Sequence, residues 1–390
     1  MAIDFPDSPS VNDTFTAGGK VYQWDGTVWE IYGPNVSPGT FKIDDVNNRV
    51  GIGTATPEYA LHVDGDVGFN DAATANFFVS SGTGADVLPS GTTAQRPASP
   101  TDGMIRYNSQ LNQLESYVDG SWFVLKKAFE ATGGDITESG GYKIHTFTSS
   151  GTFSVSSGSS EIEYIVVAGG GGGGRNGGGG DDCAGGGAGG YRSSVSGESS
   201  GGGASAESTL TLGVGNYSVI VGAGGASDTD GITAPANDGS DSSFYTVTSV
   251  GGGSENRDGG SGGGQRDSGG TPGVIGSGTT GQGYAGGSNT TSVGGGGGGA
   301  GEAGNTDGQG YGGDGVASLI SGSLTYYAGG GGAGYASGST QPGLGGGGAG
   351  GSPPQNGTAN TGGGGGGASS SSGSNGGAGG SGIVIIRYLI

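Results

Sequence analysis

Apolar and polar positions along the chain fall into two regimes. Up to Leu125, short runs alternate apolar with polar residues between Gly, Pro, Asn and Asp corners, the pattern of half-buried strands. Val21–Trp24, Asp25-Gly26 and Thr27–Tyr32 read as a hairpin about a two-residue type I′ turn, and Leu114–Val118, Asp119-Gly120 and Ser121–Leu125 repeat the device. Met104–Tyr107 and the polar corner Asn108–Gln113 add a third strand, which makes a β-meander. Arg49–Thr54 and Tyr59–Gly65 form a short strand–turn–strand unit, and Pro89–Pro100 reads as a linker. Trp24, Trp29 and Trp122 are expected to pack on these small sheets. Strands this short bury little alone and gain stability by pairing between chains, which points to an elongated oligomer.

The second regime begins at Gly169–Gly174 and lasts to Gly382. It is bracketed by two apolar β-branched runs, Ile162–Ala168 and Ile383–Ile390. A flexible linker needs no such ends, whereas a folded domain does. Six-glycine runs recur at Gly294–Gly299 and Gly362–Gly367. As polyproline II helices each would span roughly 19 Å and, lacking internal hydrogen bonds, would have to pair with its neighbours. Collagen is excluded, because no Gly-X-Y register persists. Strand-like islands at Ser208–Gly213, Asn216–Val221, Ser242–Val250 and Val316–Tyr327 interrupt the tract. The first two read as a pair about a Gly-Asn corner. With Gly151–Val155 and the bracketing runs, these islands make a small β-sandwich from which glycine rods project.

Composition narrows the function. Glycine accounts for 103 of 390 residues, and 30% of the chain is hydrophobic, so each core is small. A formal charge of −21, with no lysine after Lys143, is opposite to the basic footprint a nucleic-acid binder needs and disfavours anionic membrane surfaces. Cys183 is the single cysteine, so no intrachain disulfide framework exists. MAIDFPDSPS lacks a signal-peptide pattern, and nothing approaches a membrane span.

Chemical motifs are sparse. G-x-G-x-x-G recurs by chance in such a tract and carries no dinucleotide signal, and no P-loop is present. His62 and His145 are the only histidines; both are expected on exposed strands or turns. Asp181 and Asp182 beside Cys183 point apart on an extended chain and read as a solvated loop. Asp228-Thr229-Asp230-Gly231, with Asp238 and Asp241 following, has alternate-oxygen spacing but lacks the ligands of an EF-hand, so no metal or cofactor is assigned. Tyrosines in glycine-poor connections offer rigid faces and hydroxyls. Tyr191, Tyr284, Tyr311 and Tyr335 are therefore the candidate receptor contacts, with Tyr326 and Tyr327 favoured as structural.

Four stretches carry a resemblance. MAIDFPDSPSVNDTFTAGGKVYQWDGTVWEIYG looks like an N-terminal module of tailed-bacteriophage tail fibres, and RVGIGTATPEYALHVDGDV resembles a strand repeat of trimeric fibres and adhesins. GTTAQRPASPTDGMIRYNSQLNQLESYVDGSW is similar to another fibre module. TFTSSGTFSVSSGSSEIEYIVVAGGGGGG with GGSGIVIIRY resembles the glycine-rich domain that terminates many fibres. The resemblance implies an N-terminal virion-attachment module (1–36), a shaft repeat (37–88), a meander (89–130) and a glycine-rich receptor-binding domain (131–390).

The expected fold is all-β: hairpin and meander modules of a trimeric fibre, then a small β-sandwich with an inserted polyproline II bundle. The expected protein is a homotrimeric, non-enzymatic virion component, made in the host cytoplasm. Its expected partners are a tail or baseplate protein and a host-surface receptor, protein or glycan. An ice-binding or purely structural glycine-rich protein, and a fibre-borne polysaccharide depolymerase, are the alternatives. Glycine-poor loops within Gln265–Val293, Glu302–Gly315, Tyr335–Leu344 and Ser352–Thr361 are the expected recognition segments.

Overall fold

The computed structural model describes residues 4–31, 41–44, 49–52, 61–63, 88–125, 128–175, 183–228, 236–268, 271–290, 292–335, 338–369 and 374–390. The fold is all-β, with no α-helix and several small open sheets among these residues. The chain divides into two compact units, 1–87 and 88–390.

In the first unit, Thr14–Ala17, Lys20–Trp24 and Trp29–Ile31 form an antiparallel sheet. Strand alternation puts Phe15, Tyr22, Trp24 and Trp29 on one face, and Phe5 stacks on Trp29 at 5.5 Å between ring centroids. Trp24 pairs with Trp29, so the connection is a four-residue loop rather than the expected two-residue turn. Asp25 Oδ1 explains it, accepting the N–H groups of Thr27 and Val28 at 2.7 and 2.8 Å. In a second sheet Phe41–Asp44 runs antiparallel to Arg49–Ile52, which runs parallel to Leu61–Val63.

The second unit opens with the meander Ile105–Asn108, Gln113–Val118, Ser121–Val124. Here the two-residue turn is found, with positive φ at both Asp119 and Gly120. Pro89–Pro100 is not a linker. It adds the strand Ser90–Gly91 and a 3₁₀ turn at Thr93–Gln95, and Arg96 pairs with Glu115 at 2.6 Å.

Beyond Glu130 lies the expected sandwich. One sheet runs Glu130–Thr132, Gly151–Ser157, Gly215–Ile220, Ser242–Phe244, Val247–Ser249 in spatial order. The other runs Asp135–Ser139, Tyr142–Phe147, Ile383–Leu389, Ser160–Val167, Tyr191–Ser193. Leu210–Leu212 pairs with the start of Ser160–Val167, not with Gly215–Ile220. The chain changes sheets at Gly213–Val214, and the Leu212 side chain enters the shared core.

The second sheet is buried on both faces. Tyr164, Val166, Val384, Ile386 and Tyr388 pack against Phe153, Val155, Val219 and Phe244 of the first sheet. Their neighbours Ile144, Ile165, Val167, Ile383 and Ile385 pack on the other side against Ala188, Ala300, Ala328 and Ile320. Double-sided burial is why these strands read as continuous apolar runs instead of alternating ones. Each such Val or Ile contributes on the order of 1.5–3 kcal/mol.

His145 is fully buried in this core, contrary to its expected exposure. It sits edge-on to Phe153, 5.0 Å between ring centroids. Its Nδ1 lies 2.7 Å from the Gly133 carbonyl, which can only accept, so Nδ1 carries the proton; Nε2 then accepts from the Tyr388 hydroxyl at 3.3 Å.

The glycine rods show a three-residue period. Gly169 and Gly172 donate to Ser240 and Asn237, Gly170 and Gly173 to Gly380 and Gly377, Gly171 and Gly174 to Gly187 and Ala184, all at 2.8–3.1 Å. Gly170 and Gly173 accept from Gly225 and Asp228, Gly171 and Gly174 from Gly365 and Ala368, and Gly169 from Gly252. Three neighbours thus accept from this rod and three donate to it. Three residues per turn is the polyproline II repeat, and all of its hydrogen bonds run between rods. The rod through Gly185–Gly190 repeats the rule, with Gly185 and Ala188 donating to Gly295 and Gly298.

Most rod positions that face another rod leave no room for a Cβ. A Cβ on Gly170 would fall well inside contact distance of the Gly363 carbonyl, and one on Gly296 would strike that of Tyr311. Ala223 and Ala226, one turn apart, are exposed. Ala188, Ala300 and Ala328 face the apolar side of the sheet.

Gly170→Val and Gly296→Val are each expected to cost about 3 kcal/mol or more, the upper end of overpacking. Gly213→Ala, with open space around it, stays within about 0.5 kcal/mol. Urea unfolding midpoints measure all three, and a wild-type midpoint for Gly170→Val would remove close rod packing. Burial lowers the His145 pKa, the hydrogen bond to Gly133 opposes it, and Lys143 adds to the depression. The unfolded ring takes up a proton near pH 6.5 while the folded one does not. Stability therefore falls as pH drops below that value and levels off below the folded pKa. His145→Gln is expected to flatten the melting temperature between about pH 7 and pH 5; an unchanged slope would point to other groups.

Candidate functional site

Rod direction fixes where the connections gather. Gly169–Gly174 leaves the sandwich after Val167, and the rod ending at Gly190 returns into Tyr191–Ser193. Gly224–Asp228 runs out and Asn237–Asp241 runs back into Ser242–Phe244. Gly329–Gly334 and Gly362–Ala368 run out, and Gly376–Gly382 runs back into Ile383–Leu389. Cross-rod bonds place the outer termini side by side: Gly174 to Ala184, Cys183 to Ala368, Gly334 to Cys183, Gln265 to Gly287, Gly376 to Asp228 and Gly351 to Gly367. One end of the bundle, opposite the sandwich, thus collects the outer connections.

Among the described residues this end carries Glu255–Arg257, Tyr335, the Ser352–Gln355 turn, and the hairpin of Asp267–Ser268 with Thr271–Pro272. Each is held by the rods beneath it. Arg266 pairs with Glu255 at 3.0 Å and its backbone N–H donates to Asn256 Oδ1 at 2.8 Å. Burial pushes the Glu255 carboxyl above its usual range, and the Arg266 charge opposes that shift. Arg257 pairs with Asp238 at 3.3 Å. Among the described residues the end is therefore a display of backbone and neutral polar groups in which Arg257 and Arg266 are paired with carboxylates.

The expected recognition segments are split by this geometry. Gln265–Val293 supplies the far-end hairpin, Ser288–Thr290 and Ser292–Val293, but its Thr279–Gly283 turn lies at the sandwich end, where the Gln282 carbonyl accepts from Tyr191 N–H. Tyr335, Gly338–Ser339 and Ser352–Gln355 are at the far end, whereas Thr358–Thr361 is back beside the sandwich. Within Glu302–Gly315 the chain doubles back on itself along a rod, pinned by Asn305 Oδ1, which accepts from Gly296 and Gly310. Residues 269–270, 291 and 336–337 of these segments lie outside the described residues.

The four candidate tyrosines do not converge. Tyr191 is fully buried against the sheet, beside Ile165 and Tyr327, and burial raises its hydroxyl pKa. It is a core residue, a correction that follows from the rod delivering it straight into the strand Tyr191–Ser193. Tyr284 is half-buried near Gly203 at the sandwich end, Tyr311 is half-buried beside Gly308 behind a turn whose Gln309 donates to the far-end Ser288 carbonyl, and Tyr335 is at the far end. In the hairpin Val316–Ser318 with Thr325–Tyr327, Tyr327 is buried and Tyr326 is exposed.

The alternate-acidic segment also resolves in part. Thr229, Asp230 and Gly231, like Asp181 and Asp182, lie outside the described residues. Asp238 accepts from Ser254 N–H and Asp241 from Gly251 N–H, both at 2.8 Å, so these two carboxylates tie rods together. Sequence reading missed a different cluster: Glu302, Asp307 and Asp314 bring one carboxylate oxygen each within 4.8 Å of the others. Burial raises the Glu302 pKa, the Asp314 N–H opposes, and the charges of Asp307 and Asp314 add to the rise. Their spacing matches no linear motif; the doubling-back at Asn305 brings them together.

No curated protein matches the chain. The model of the family described as a glycine-rich domain matches residues 146–389, from the strand Tyr142–Phe147 to the end of Ile383–Leu389, so the chain belongs to the glycine-rich domain family.

Proposed function

We propose that the chain is a tail-fibre protein of a tailed bacteriophage, whose glycine-rich domain recognises the bacterial surface. In this reading residues 1–36 fasten the protein to the tail or baseplate, the chain assembles as a homotrimer, and the far-end loops meet a protein or glycan receptor. The observation that carries it is the gathering of outer connections at one end of a rigid bundle, opposite the sandwich. Loops on such a scaffold accept substitution without disturbing the rods, which is the division of labour a variable recognition surface requires. The four fibre-like stretches, in one order along the chain, support the same reading; the family match concerns the glycine-rich region alone.

Contacts would rest on Tyr335 and on Asn, Gln and Ser hydrogen bonds, since the arginines described at this end are paired with carboxylates. Adsorption is therefore expected to change little between low and high salt, unlike attachment driven by charge. Exchanging the far-end portions, Asp267–Pro272, Ser288–Val293, Tyr335–Ser339 and Ser352–Gln355, for those of a related fibre is expected to change host range with an unchanged melting temperature. Host adsorption that survived the exchange intact would place recognition elsewhere.

A further inference from the structure

The meander is inverted relative to an ordinary one-sided sheet. Its register pairs Arg106 with Glu115 and Tyr117 with Trp122 on one face. That face is sealed by the 89–97 segment. The Glu115 side chain is fully buried, paired to Arg96 at 2.6 Å and to Arg106 at 3.5 Å, with Asn108 donating to it at 3.0 Å. The opposite face presents Ile105, Tyr107, Leu114, Ser116, Phe123 and Leu125. Ile105 is 48% exposed, Leu114 40%, Phe123 54% and Leu125 49%. Antiparallel sheets of this size normally bury the apolar face and wet the polar one. Removing a carboxylate from water is unfavourable unless partners compensate it, so a sequence that buries Glu115 and exposes Phe123 has its apolar face set aside for another surface.

We infer that this outward face is an interface between copies of the chain. Each copy carries a formal charge of −21, so two copies approach most closely where neither presents charge, and among the described residues this face presents none. The four exposed apolar side chains offer roughly 400 Å², within the range of the largest patches on monomers and about half the ~800 Å² per partner of a standard interface. The remainder is available beside it. Ser121–Val124 is the outer strand of its sheet, paired on one side only among the described residues, and its free edge supplies backbone groups for a polar rim. The chain's own Gly158-Ser159 turn approaches Tyr107, Leu114 and Leu125 but leaves a cavity of about 490 Å³ between them. The inference deepens the homotrimer of the proposed function by naming one of its interfaces, and it does not rest on host recognition by the glycine-rich domain.

Sedimentation equilibrium of the full chain at micromolar concentration tests it. The expected mass is a multiple of the 37.1 kDa chain, and Leu114→Asp with Phe123→Lys is expected to raise the dissociation constant about 30-fold or more, as loss of an interface anchor does. Far-UV circular dichroism and the melting transition of the glycine-rich domain, followed on the same samples, separate dissociation from unfolding. Where the double variant unfolds, Phe123→Cys takes its place, because native Cys183 is buried. Mild oxidation is then expected to link chains through Cys at that position, and a reductant to separate them. A single-chain mass for the wild type, an unchanged mass for the folded double variant, or no cross-link from Phe123→Cys would each overturn the inference.

Discussion

Everything in the glycine-rich domain depends on backbone approaching backbone closely enough to hydrogen-bond without a side chain between. A polyproline II rod satisfies none of its own peptide groups, so an isolated rod is simply solvated chain. Surrounded by six others, the Gly169–Gly174 rod has its donors and nearly all its acceptors paired. Glycine loses more backbone entropy on ordering than any other residue, and the few small side chains buried inside the bundle, such as Cys183, Ala184 and Ala368, offset little of that loss. Pairing of otherwise orphaned peptide groups must therefore do the work that a hydrophobic core does elsewhere. The sandwich provides what the rods lack: an apolar sheet with one face against its partner sheet and the other against Ala188, Ala300 and Ala328.

Much of this architecture was legible in the residues. The bracketing runs Ile162–Ala168 and Ile383–Ile390 announced strands buried on both faces because β-branched residues there do not alternate with polar ones. The six-glycine runs announced rods because only rods in mutual contact exclude every Cβ. What stayed hidden was pairing over distance. Leu210–Leu212 and Gly215–Ile220 are adjacent in sequence and look like a hairpin, yet a single glycine corner sends them to different sheets. Asp25-Gly26 carries the dipeptide of a tight turn, but the Asp25 carboxylate captures two backbone N–H groups and lengthens the loop.

The site was less legible than the fold, for a geometric reason. Glycine runs have no face, so nothing in the sequence says which end of a rod a following loop occupies. Tyr191 and Tyr335 stand in similar local contexts, each one residue beyond a glycine. One enters the core because its rod runs inward, and the other reaches the outer end because its rod runs outward. Direction is set by counting crossings from the first strand, and the inserted 316–327 hairpin and the doubling-back at Asn305 upset any count made without coordinates. His145 was misjudged for a related cause: its strand partners, Ile136 and Ile386, come from opposite ends of the domain.

The place of Ile383–Leu389 has a consequence for how the molecule is made. This strand lies between Tyr142–Phe147 and Ser160–Val167, so the middle of the sheet is the last of its strands to be synthesised. Until it arrives, the two flanking strands have no common partner and the sandwich core lacks Val384, Ile386 and Tyr388. More than two hundred residues of glycine-rich chain must then be held as nascent coil whose eventual order depends on a sheet that does not yet exist. Such wide sequence separation slows folding, but it also protects the process: a product truncated anywhere within the rods cannot close the sheet. The sandwich and the rods become closed together, once Ile383–Leu389 has been made.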